Sequence, residues 1–193
     1  MVERKSSKIS HLYKGLKICY DITLKGAVDM KIKKLTTMAL LSAIALTIFM
    51  VEAQIPPLVP LPGVKIGLSN IVTVYAVFAL GPGEAAAILF CRIFLGSIFA
   101  GNFSSILYSA AGGLLAILVT IGLRRILKKN QLWVAGSLGA VGHSIGQMAM
   151  AMVMTGTPSI AIYLPVMIAI SIVTGLFTGL CAQMLVNRGI ETW

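Results

Sequence analysis

The sequence predicts an all-α integral membrane protein with six transmembrane helices. Three observations carry this expectation. Beyond residue 34 the chain is a succession of apolar segments long enough to cross a bilayer; hydrophobic residues make up 58% of it and charged residues 11%; and mean hydropathy is +0.93. Such a composition lies far from that of soluble domains, and 193 residues fit one compact helical membrane domain with no separate soluble one.

Residues 1–30 read as a basic tail, and residues 31–193 as the six-helix domain that binds substrate. In the tail, Ile9, Leu12, Tyr13, Leu16 and Tyr20 fall at helical spacing among lysines, the pattern of a basic helix lying on anionic lipid. On the other reading the tail is dispensable, because Met30-Lys-Ile-Lys-Lys34 is itself a natural start. The apolar run from Leu35 is too long for a secretory h-region, so the first span is expected to be retained.

A spanning helix needs about 20 apolar residues, and six segments approach that length: about 35–52, 66–80, 85–101, 104–123, 132–155 and 160–186, the second being the shortest. Between the first two, Gln54-Ile-Pro-Pro-Leu-Val-Pro-Leu-Pro-Gly63 holds four prolines, which lack a backbone donor and cannot continue a helix. It is read as a long outer loop, the one connection large enough to cover an external pocket. Gly81-Pro-Gly83 and Gly101-Asn102 read as tight turns, and Thr155 to Ser159 as another short outer connection.

The formal net charge of +10 invites a nucleic-acid reading, but its distribution argues otherwise. Nine of the sixteen Lys and Arg precede residue 35, and four more form the run Arg124, Arg125, Lys128, Lys129 between spans four and five. The positive-inside rule places the tail and this run in the cytoplasm, and Arg188 after span six agrees. Both termini are then cytoplasmic, in a multi-pass protein of the cell membrane. Cys19, Cys91 and Cys181 are far apart, with no CxxC, and suggest packing residues rather than disulfides or a metal site.

Few side chains are left to carry chemistry. Arg92 stands near the middle of span three, where a charge costs about 2.5–3.5 kcal/mol on insertion scales. It pairs either with an anionic group of a substrate or with an internal partner; Glu84, about two turns away on the same helix, is too far for a simple i,i+4 pair. No acidic partner at its depth is evident. His143 and Gln147, four apart in span five, share a face with Gly139 and Gly146, suited to hydrogen-bonding either another helix or a substrate. Gln54, Lys65 and Asn70 flank the outer loop, while Asn102 and Tyr108 cap the next outer turn; singly they read as solvated residues or helix caps, together as the rim of one outer cavity. Small residues recur at i,i+4 as Ala39 and Ala43, Gly142 and Gly146, and Gly175 and Gly179, the last two pairs read as packing within the bundle.

Absences narrow the function further. The chain has no GxxxxGK[ST] phosphate loop, no GxSxG elbow, no HExxH and no acidic pair, so no ATPase, hydrolase or metalloprotease reading finds its nucleophile, base or ligands. No cofactor is implied.

Three runs, Lys34-Leu-Thr-Thr-Met-Ala-Leu-Leu-Ser-Ala-Ile-Ala-Leu46, Pro60-Leu-Pro-Gly-Val-Lys-Ile-Gly-Leu-Ser-Asn70 and Ala79-Leu-Gly-Pro-Gly83, resemble the Gx transporter family, also labelled heptaprenyl diphosphate synthase component I. With its size, six spans and long first outer loop, the chain looks like the substrate-binding S component of an energy-coupling factor (ECF) transporter. The resemblance implies a subunit that captures a small molecule from outside and works with a transmembrane coupling subunit and ATPase subunits. It assigns Ala39 and Ala43 to the AxxxA pattern by which S components dock the coupling subunit. Arg92 and Lys65 lean toward an anionic ligand, and the apolar walls toward an amphipathic one. The alternative is a noncatalytic membrane subunit of a prenyl diphosphate synthase, since the Asp-rich motifs that chain elongation needs are absent and both Asp lie in the tail.

Overall fold

The computed structural model describes residues 31–55, 67–101 and 104–188. They form six α-helices: α1 Lys31–Glu52, α2 Asn70–Ala79, α3 Pro82–Ala100, α4 Ser104–Arg124, α5 Leu132–Thr155 and α6 Leu164–Asn187, with 3-10 turns at Lys129–Gln131 and Pro158–Tyr163. Among the described residues there is no strand. The compact body begins at Met38; residues 31–37 are helical, and Thr36 and Thr37 bond back to the carbonyls of Ile32 and Lys33.

Four stretches are long and apolar enough to cross a membrane: Lys31–Glu52, Pro82–Phe99, Ser105–Arg124 and Pro158–Asn187. Their outward faces are apolar too. Phe90, Phe94 and Ile98 on α3, Leu114 and Leu118 on α4, and Val173, Phe177 and Met184 on α6 are all exposed. Meanwhile Arg92, Asn70, His143 and Gln147 are buried. Large contiguous apolar surface of this kind is costly in water and neutral in lipid, so the chain is built as a helical membrane protein.

The helix ends differ from the expected spans in ways that local chemistry explains. α2 has 10 residues, about 15 Å of helix, half the thickness of a hydrocarbon core. It starts only at Asn70 because residues 67–69 form a turn with Gly67 at φ 86°, and it stops before Gly81, at φ 132°. Residues 67–80, the described part of the expected second span, therefore do not make a full span. α3 begins at Pro82, a favoured residue in the first turn of a helix, so Pro82 and Gly83 lie inside α3 and not in a tight turn before it. Gly101, left-handed at φ 62°, ends α3, and Gly156, at φ 63°, ends α5. Residues 160–163, expected to open span six, do lie in the apolar stretch Pro158–Asn187, but as a 3-10 turn, and α6 itself starts at Leu164 with Pro165 in its first turn.

α5 is the central helix, packed against α4 on one side and α6 on the other. Its glycines make both contacts possible. A Cβ on Gly136 would meet the Gly175 carbonyl oxygen, and Gly179 Cα at 2.6 Å; one on Gly175 would meet Ser137 Cα at 2.6 Å. On the α4 side, a Cβ on Gly146 would meet the Ala111 carbonyl, and Gly112 Cα at 2.9 Å. Backbones thus touch where small residues allow it, the usual means of association when lipid supplies no hydrophobic drive. Ser144 and Ser171 add a 2.5 Å hydroxyl contact between α5 and α6, with Ser171 also donating to the Met167 carbonyl.

This packing yields a graded expectation. Gly136→Ala puts a methyl into backbone atoms that cannot yield and should destabilise the purified protein by about 1–3 kcal/mol. Gly122→Ala, in α4 with nothing within 4 Å, should be neutral or stabilising by up to about 1 kcal/mol. Thermal melts in detergent measure both; equal losses would contradict the packing described.

Candidate functional site

The half-length of α2 sets the position of the site. α2 and α3 both run away from the Gly81 turn, so Asn70, nine residues from Ala79, and Arg92, ten from Pro82, stand at about the same level, roughly 15 Å along. That is half-way through the bundle. The first residue of α2 and the centre of α3 therefore meet where a full-length second helix would have presented only its side.

Arg92 is buried, 3% exposed, and its Nη1 donates to the Ser69 hydroxyl. Phe49 of α1 lies with its ring centroid 6.0 Å from Arg92 Cζ, at the edge of cation–π range. Gly96, one turn beyond Arg92, gives that ring its space: a Cβ there would meet Phe49 Cε1 at 2.7 Å. Glu52, the last residue of α1, is itself buried and is the acidic side chain within electrostatic reach of the guanidinium. Glu52 Oε1 also accepts from the Gly67 backbone N–H. Glu84 lies elsewhere, beside Arg124: both side chains approach the point where Gly81 would carry a Cβ, Oε2 at 2.7 Å and Nη1 at 3.9 Å. The expectation that Arg92 has no acidic partner at its depth is corrected by Glu52.

His143 and Gln147 do share one buried face of α5. Both lie against Gly112 of α4, where a Cβ would meet Gln147 Cγ at 2.8 Å and His143 Cε1 and Nδ1 at 2.9 Å. The other edge of His143 faces the turn before α2: a Cβ on Gly67 would meet His143 Cδ2 at 3.2 Å and Asn70 Nδ2 at 3.0 Å. His143 is also within electrostatic reach of Arg92. Gly67 thus lets His143 meet the start of α2, and Gly112 seats both His143 and Gln147 against α4.

Of the residues expected to form a cavity, Arg92, Asn70, His143 and Gln147 come together. Gln54 is exposed just past the end of α1. Tyr108 does not cap a turn; it is buried within α4, one helical turn before Gly112, because α4 already begins at Ser104. Lys65 and Asn102 lie outside the described residues, as does most of the proline-rich loop. Ala39 and Ala43 are exposed on α1. Glu52 and Ser69 are neighbours of Arg92 that spacing alone did not select. The available signal for Glu52 was its position, an acidic residue closing an otherwise apolar span; Ser69 gave none. Among the described residues no group of three or more His, Cys, Asp or Glu could hold a metal ion.

The site yields its own test of how Arg92 is held. Ser69→Ala removes a hydroxyl that accepts from a buried cation and should cost about 1.5–3 kcal/mol in unfolding free energy, whereas Ser69→Thr keeps the acceptor and should cost less than half as much. Unfolding in an SDS titration measures the difference, and equal losses would remove Ser69 from the account.

Comparison with known proteins gives one match. The family described as heptaprenyl diphosphate synthase component I matches residues 41–185, well over half of the chain and every described residue of the site. No curated protein and no solved structure matches it. The chain belongs to the heptaprenyl diphosphate synthase component I family.

Proposed function

We propose that this protein is the membrane-embedded substrate-binding subunit of an ECF-type importer. The observation that carries the reading is the convergence of Asn70, Arg92, His143 and Gln147 half-way through a bundle whose exterior is apolar. Polar groups inside a membrane helix bundle are expensive, and they mark ligand or ion sites more often than simple packing. A half-helix whose first residue ends in the bundle centre is a recurrent way of bringing backbone N–H groups and side chains to a substrate. A purely structural anchor needs none of these features. The ligand is a small molecule, contacted by polar groups at the centre and by apolar walls around them.

The proposed orientation puts the Gly81 turn and the α4–α5 connection in the cytoplasm, where Arg124, Arg125 and Lys128 and the following Arg188 satisfy the positive-inside rule. Both termini are then cytoplasmic, in the cell membrane, and the proline-rich loop faces outside. Power comes from partner ATPase subunits through a coupling subunit. Ala39 and Ala43, exposed one turn apart on α1, supply a flat docking face on which a partner helix can close.

A second reading is favoured by the family's own description: the chain is a noncatalytic membrane partner of a heptaprenyl diphosphate synthase. Pull-down from native membranes separates the two. The importer reading expects ATPase and coupling subunits, lost in Ala39→Trp or Ala43→Trp; a soluble prenyl synthase in their place would decide for the second. Whether a pocket exists is tested separately, by native mass spectrometry. Protein purified from its own membranes should carry a small-molecule adduct, reduced or absent in His143→Ala and Gln147→Ala, which remove polar groups from the buried face of α5. Unliganded protein in every preparation would count against the pocket.

A further inference from the structure

The charges around the site restrict what it can hold. Among the described residues, Glu52 and Arg92 are the only buried members of the Asp, Glu, Lys and Arg set. They carry opposite charges and both reach the turn at residues 67–69, Glu52 through the Gly67 N–H and Arg92 through the Ser69 hydroxyl. The two are within electrostatic reach of each other, so among the described residues the buried formal charges sum to zero. A ligand carboxylate or phosphate would add a net charge at the centre of the bundle, with a desolvation cost of several kcal/mol and no further buried cation among the described residues to offset it. The site favours a ligand without net charge.

Asn70 indicates what that ligand presents instead. It is the first residue of α2, 3% exposed, and among the described residues neither its Oδ1 nor its Nδ2 has a hydrogen-bond partner. Two orphaned polar atoms on one buried side chain are uncommon, since each carries an unrecovered desolvation penalty. Arg92 Nε, on the guanidinium already tied to the neighbouring Ser69, is a further buried donor with no partner among the described residues.

A primary amide shows one donor and one acceptor in a single plane. Its complement is the same pair reversed, which is how Asn reads the donor–acceptor edge of a base with two hydrogen bonds at once. Resting on the small-molecule reading above, we propose that this site takes an uncharged ligand bearing an amide-type edge, an N–H donor beside a carbonyl acceptor as in a carboxamide, lactam or imide, recognised by the side chain of Asn70. Arg92 Nε supplies an additional donor to the ligand's carbonyl oxygen, and the apolar surroundings accept the rest of the molecule. This departs from the anionic ligand that Arg92 alone suggests.

Four probes test the class: nicotinamide and uracil, which carry the edge, and benzoate and inorganic pyrophosphate, which carry charge instead. Each is added at millimolar concentration to the full chain in lipid nanodiscs, and the melting temperature is read. The amide probes should raise it and the anions should not. Asn70→Leu, which removes the orphaned atoms, should melt no lower than the parent without probe, and should bind nicotinamide or uracil about tenfold more weakly or worse. Asn70→Ser, a smaller change that also lacks the paired edge, should show the same loss, so a folding defect in the Leu variant does not decide the outcome. A shift with benzoate or pyrophosphate alone would overturn the amide edge and leave the pocket standing. Equal shifts in parent and Asn70 variants, or no shift with any probe, would overturn the inference, while the adduct found or missed by native mass spectrometry decides the pocket itself.

Discussion

The structure depends on how the positive charge of Arg92 is kept inside an apolar bundle. A lone guanidinium at that depth would be expelled or would drag water after it. Here Glu52 supplies the opposing charge, Ser69 accepts a hydrogen bond, and the face of Phe49 lies alongside. Those three residues belong to the end of α1 and to the turn before α2. Compensation of one side chain on α3 therefore ties three chain segments together, and it requires α2 to start half-way through the bundle, since a helix continued past Asn70 would carry Ser69 and Gly67 away from the guanidinium.

Around this centre the fold is arranged in reverse of a soluble protein, with polar residues within and large apolar side chains without. Because lipid contributes little to holding apolar helices together, α5 is held by close backbone approach to α4 and α6 at its glycines, with a serine contact to α6. The same helix carries His143 and Gln147. Packing and site are thus linked: the glycine contacts that bring α5 against α4 also fix the distance at which its polar face meets Gly112 and the turn at Gly67.

Much of this was legible in the residues. Apolar run length located the helices to within a few residues, and the burial of Arg92, His143, Gln147 and Asn70 follows from their isolation in apolar sequence. What escaped has physical reasons. The pairing of Glu52 with Arg92 joins residues forty apart through tertiary packing, and no helical period encodes it. The shortness of α2 hung on the backbone of Gly67, whose positive φ is not distinguishable in sequence from that of a glycine tolerated inside a helix. Tyr108 reads as a cap of the outer turn at Gly101, yet it lies inside α4 one turn past Ser104 and is buried there, and no sequence period tells an amphipathic tyrosine at a helix end from one turned into the bundle. Small-residue spacing at 142 and 146 and at 175 and 179 marked close helix contacts, but the neighbour each pair faces, α4 for the first and α5 for the second, emerges only from the assembled bundle.

The central claim is that Arg92 and Glu52 compensate each other, so the most direct measurement is a double-mutant cycle on unfolding free energy. Glu52→Gln and Arg92→Met each strand one buried charge and should each cost about 3–5 kcal/mol, while the double variant, with no charge left to strand, should be more stable than either single one. Additive losses in the double variant would show that the two side chains are stabilised independently and would contradict the account.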